Sequence, residues 1–89
     1  MSAASVWEAA LKRATGRLST PTPLEQAARE AGVRELSVTW DHAGRAASLP
    51  LLHSDPFDRM LVAQALEEGL VLVTRDRAIQ QYAVPTLPA

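Results

Sequence analysis

Along the chain, stretches whose apolar positions recur at helical spacing alternate with short stretches that read as strands. Ser5-Val6-Trp7-Glu8 has the spacing of a capping box, and the helical pattern it opens runs to about Thr15, where Gly16 ends it. Thr22-Pro23-Leu24-Glu25 is a second capping box, with proline at the first helical position, leading to Ala31-Gly32. Glu35-Leu36-Ser37-Val38 alternates like a short strand, and Thr39 is placed to cap a helix through Asp41 to Ser48 that Pro50 closes. Asp55-Pro56-Phe57-Asp58 opens the best-defined helix, which carries Met60, Leu61, Val62, Ala65 and Leu66 before Gly69 stops it. Leu70-Val71-Leu72-Val73 is a continuous apolar run, the pattern of a strand buried on both faces. Asp76 is placed to cap one or two further helical turns to about Tyr82, and Val84-Pro85 begins an expected edge strand.

Helices alternating with buried strands predict an α/β layer architecture with a parallel sheet. The strand count is low for that class, because two convincing strands stand among four or five helices. A two-stranded parallel sheet is not a stable core, and Met1-Ser2-Ala3-Ala4 leads almost at once into a helix cap. The pattern therefore predicts one domain over residues 1–89 that lacks a strand at its front. No internal repeat, linker or low-complexity tract interrupts it.

Composition narrows the chemistry more than the fold. The chain has 89 residues and a mass of 9.6 kDa, room for a single domain. Its mean hydropathy of −0.04, with no run of about 20 apolar residues, argues against a membrane span. No basic patch with an apolar segment marks a secretory signal, so a cytoplasmic protein is expected. With no cysteine, disulfides and thiolate metal sites are excluded, and any metal must be held by carboxylates or histidines. The net charge is −1 and the pI about 6.1, which counts against a protein that lives on phosphate contacts. It counts less against an enzyme that binds nucleic acid transiently and uses a metal to offset phosphate charge. Lys12 is the only lysine, and the rest of the positive charge is arginine.

Three acids stand out by position. Asp76 follows the run Leu70 to Val73 and so lies at the carboxyl end of a predicted strand, where open α/β sheets gather ligands. Taken alone, it is more simply a helix cap. Asp58 sits in the first turn of its helix, with Leu61, Val62 and Ala65 following at spacings of three, four and seven. It therefore ends an apolar face directed at the core, although a first-turn carboxylate also complements the helix dipole. Glu8 reads first as a capping-box member with Lys12 one turn on, unless other acids converge on it. Asp55 reads as an N-cap, Asp41, Glu67 and Glu68 as solvated surface, and His42 and His53 as loop or surface residues without metal-ligand spacing. Taken together, carboxylates without cysteine or paired histidines are hard oxygen ligands suited to magnesium or manganese. Such a cluster polarises a phosphodiester and activates water for in-line attack. Thr74, Arg75, Arg59 and Arg77 lie beside the acids, as a hydroxyl or guanidinium that orients phosphate would.

Asp55-Pro56-Phe57-Asp58-Arg59-Met60-Leu61-Val62-Ala63-Gln64-Ala65 closely resembles the motif around the third acid of PIN-domain nucleases, specifically the VapC-type toxins of bacterial toxin–antitoxin systems. Ser2 to Glu8 with Lys12 resembles the second acidic motif of that family, and Leu70 to Asp76 the fourth. Leu49 through His53 to Asp55 and the tail Tyr82-Ala83-Val84-Pro85 also follow the family pattern, so the resemblance spans essentially the whole chain. It implies a PIN-like three-layer α/β fold with a parallel sheet, and cleavage of RNA with Mg2+ or Mn2+. Glu8, Asp58 and Asp76 would be its metal-binding and catalytic acids, with Thr74 a nearby polar group. A cognate antitoxin and commonly a homodimer are also implied. The family's first strand and first aspartate have no counterpart ahead of Met1, in keeping with the low strand count. As it stands, the chain is accordingly expected to be a poor or inactive nuclease, which robust cleavage abolished by Asp58→Asn would overturn.

The enzymatic reading, a VapC-like endoribonuclease whose full form includes that strand, stands beside two others. One is a catalytically dead remnant that binds an antitoxin or a related toxin, and the other a degraded product without a stable fold. Other classes fit worse. The four glycines form no phosphate loop, no serine pairs with a histidine as a nucleophile, and no basic recognition helix is present.

Overall fold

A computed structural model of the chain describes residues 1–74 and 76–88. In chain order the elements are α1 (Ala3–Ala14), α2 (Leu24–Glu30), α3 (Trp40–Ser48), α4 (Pro56–Glu68), β1 (Leu72–Val73), α5 (Arg77–Gln80) and β2 (Thr86–Leu87). They fall into two compact units, Met1–Ser37 and the residues from Val38 onward. No helix among the described residues is long and apolar enough to cross a membrane.

In the first unit Ser2, not Ser5, caps α1, its Oγ accepting the Ala4 N–H at 3.1 Å. Ala3 and Ala4 are strong helix formers, so they extend the helix past the expected box and leave Ser5 and Glu8 inside it. The Thr22 box does not form either: Pro23, with ψ near 144°, takes the N-cap position, and no side chain closes the first turn of α2. The strand expected over Glu35–Val38 reduces to one parallel bridge between Ser2 and Leu36. The partner segment turns away at once, because the backbone bends into α1 at Ala3. Ala3 N–H donates to the Leu36 carbonyl at 2.8 Å, and Leu36 N–H to the Met1 carbonyl at 2.9 Å.

The second unit is built on α4, which packs against α3, α5 and β1. Asp55 caps α4, Pro56 occupies its first turn, and Gly69 ends it at φ 65°, a left-handed conformation that costs glycine little. Val62 and Ala65 of α4 meet Ile79, Tyr82 and Val84 in the buried core, with Leu49, Leu66 and Leu72 packed at its edge. Thr39 caps α3 as expected, and His42 makes the cap reciprocal: the Thr39 hydroxyl accepts the His42 N–H at 3.2 Å, and His42 Nδ1 accepts the Thr39 N–H at 3.1 Å. His42 is therefore no surface residue. It is 1% exposed, and its Nε2 meets Glu68 Oε1 of α4 at 2.8 Å.

β1 and β2 pair in parallel, Leu72 opposite Thr86 and Val73 opposite Leu87. A parallel sheet among helices is thus present, as an α/β fold requires, with two strands among the described residues. The double-sided burial expected of Leu70 to Val73 is not found: Leu70 is 44% exposed and Val73 65%. Among the described residues β1 has a hydrogen-bonded neighbour on one edge only, and two short strands offer too little sheet for helices to cover both faces.

Candidate metal centre

The acids of the second unit owe their places to helix starts. Asp55 Oδ1 accepts the N–H groups of Phe57 at 2.8 Å and Asp58 at 3.3 Å, the N-cap role its sequence position suggests. Asp58 follows in the first turn of α4, half-buried. Asp76 caps α5 as expected, its Oδ1 accepting the N–H of Ala78 at 2.8 Å and of Ile79 at 3.3 Å. Its own N–H donates to Thr74 Oγ1 at 3.0 Å, which holds the turn between β1 and α5.

One side chain joins the two carboxylates. His53 Nε2 hydrogen-bonds Asp76 Oδ2 at 3.0 Å and lies 3.0 Å from Asp58 Oδ2. On the other side of the ring, Nδ1 accepts the Asp55 N–H at 3.0 Å. One atom from each of His53, Asp58 and Asp76 lies within 4.8 Å of the other two. The loop before α4 is tied down in turn. Buried Tyr82 accepts the His53 N–H at 3.1 Å and donates to the Pro50 carbonyl at 2.7 Å. Arg59 donates to the carbonyls of Ala46, Leu49 and Pro50 at 2.8–3.0 Å, and more distantly to that of His53 and to the Tyr82 hydroxyl.

The bond from His53 holds the Asp76 carboxyl below the ordinary carboxylate range; burial opposes the shift, and the N–H groups of Ile79 and Ala78 add to it. Two carboxylates that converge with an oxygen each are a hard donor pair suited to a divalent cation. Asp58 and Asp76 are the residues of this unit that would hold it.

Glu8 lies in the first unit, half-buried on α1, where it pairs with Lys12 at 3.4 Å as the sequence suggested. Thr74 sits against Asp76, as described, and Arg77 is the exposed first residue of α5. Arg59 turns its guanidinium to the loop carbonyls. Arg75 lies outside the described residues. The residue that sequence reasoning passed over is His53, taken there for loop or surface. One signal was available: it stands two residues before the cap of the helix that carries Asp58, so its ring can fold back onto that helix start.

A family model described as PIN domain matches residues 1–85. No curated protein and no solved structure matches the chain.

Proposed function

The chain belongs to the PIN-domain family, and on that premise we propose that it is a magnesium-dependent endoribonuclease of the VapC toxin type, cleaving RNA at clustered carboxylates and held in check by a cognate antitoxin. Nuclease-type function, commonly metal-dependent, comes with the family. The finer reading also takes in a three-layer arrangement about the sheet, a cytoplasmic setting and a homodimer.

The single observation that carries this reading is the approach of Asp58 and Asp76, from the starts of two different helices, to the same nitrogen. Two like charges are brought together at such a point at a cost, which a bound cation offsets. When bound there, a divalent cation neutralises phosphate charge and makes a water nucleophilic. Asp58 and Asp76 would hold it through oxygen. Thr74 and Arg75 are assigned to orienting the phosphate, and Arg59 acts through the loop that it fixes.

A second reading, binding to an antitoxin or a related toxin without cleavage, draws on the bonds Asp76 already makes. Both of its oxygens meet protein donors. Incubation of RNA with the chain in Mg2+ and in EDTA separates the two. Cleavage, however weak, that requires Mg2+ and falls by at least about 10-fold in Asp58→Asn and in Asp76→Asn is expected of the nuclease. Cleavage indifferent to EDTA or to both variants would refute it, and tight antitoxin binding without cleavage would establish the second reading.

A further inference from the structure

The imidazole of His53 stands where a third metal ligand would, within 4.8 Å of both carboxylates. Its other nitrogen argues against that role. A backbone N–H can only donate, so the bond from Asp55 N–H makes Nδ1 an acceptor with its lone pair in use. A neutral ring carries one proton, which is therefore on Nε2, the nitrogen that faces Asp58 and Asp76. To ligate a cation, Nε2 would have to give up that proton to Nδ1. The ring N–H and the Asp55 N–H would then point at each other, and the bond between them would be lost.

We propose that His53 is a positioning residue of this site and not a metal ligand: its proton-bearing Nε2 draws the carboxylates of Asp58 and Asp76 together and leaves the remaining lone pairs of their oxygens to bind the cation. The inference rests on the nuclease reading, which it deepens by making the donor set all oxygen despite a histidine in reach. The surroundings are built to hold the ring in this orientation. Tyr82 takes the His53 N–H, and Arg59 reaches the His53 carbonyl and three others of the same stretch. A group that orients the ligands of a metal usually matters to affinity nearly as much as the ligands do.

Long-range proton–nitrogen spectra of the 15N-labelled chain read the tautomer directly, with His53→Gln identifying which ring is which. The expected result is a protonated Nε2 and an acceptor-type Nδ1 on His53, unchanged when Zn2+, the cation with most to gain from an imidazole, is added. A protonated Nδ1, or loss of the Nε2 proton on adding Zn2+, would overturn the proposal. Calorimetric titration with Mg2+ supplies the second readout. His53→Ala should lower the affinity by about 10- to 100-fold while the chain still melts cooperatively, and His53→Gln, which returns an N–H donor, should recover part of it. If His53→Ala does not fold, the tautomer and the His53→Gln affinity decide. Mg2+ binding indifferent to both substitutions would overturn the positioning role alone. A wild-type chain that binds no Mg2+ would overturn the nuclease reading and the positioning role together.

Discussion

Asp76 serves two neighbours with one carboxylate: Oδ1 caps α5 and Oδ2 takes the bond from His53. Its pKa in the folded chain lies below the unfolded value, chiefly through the His53 bond. The ionised form therefore contributes stability that is present above the unfolded pKa, about 3.9 for aspartate, and is lost as pH falls through the lower folded value. Asparagine caps a helix about as well as aspartate, so Asp76→Asn keeps the cap and removes the charge. The wild-type chain should withstand urea better than Asp76→Asn near neutral pH, and the gap should close as the pH is taken below about 4. A gap constant with pH would mean that the charge is not what His53 stabilises. At this scale the sequence was a partial guide. Asp58 and Asp76 could be picked out because helix starts are written locally, in Asp-Pro and in an aspartate after an apolar run. His53 could not, because its partner Asp76 is 23 residues away and no spacing rule reaches that far. Arg59 looked like a phosphate group's partner for the same reason, since the carbonyls it serves belong to a turn whose shape only folding reveals.

Helix ends were legible where one residue decides them and shifted where two neighbours compete. Asp55 and Thr39 cap the helices they were expected to cap. Ser5 and Thr22 do not, because Ala3-Ala4 and Pro23 place the first turn elsewhere. Gly69 closes α4 with a left-handed residue, and a Cβ built there meets nothing within 4 Å. Any cost of Gly69→Ala is therefore backbone strain alone, about 1–2 kcal/mol. A denaturation midpoint lowered to match, with Mg2+ affinity unchanged, is the expected result; an unchanged midpoint would show that the turn does not need that conformation. The apolar run at Leu70 to Val73 predicted a strand and a strand formed, shortened to Leu72–Val73. The burial inferred from the run failed, since apolar side chains record a tendency to be covered, while the covering depends on neighbouring strands. His42 failed in the opposite direction. A histidine near a helix start reads as polar surface, yet this one caps its own helix with Nδ1 and bridges to α4 with Nε2.

For the whole molecule, alternation of helices and strands foretold the α/β class and the parallel pairing, and membership of the PIN-domain family agrees with both. The two compact units divide near Ser37, where no linker composition marks a change. A net charge of −1 leaves no excess of positive charge to drive nucleic-acid binding, so the proposed function depends on a bound cation to offset phosphate charge. That dependence makes the cation the point on which the account turns. Calorimetric titration of Mg2+ into the wild-type chain and into Asp58→Asn tests it most directly. The account predicts saturable binding in the wild type and an affinity at least about 10-fold lower in the variant, with both chains folded. Equal affinity in the two chains, or no binding in either, would contradict it.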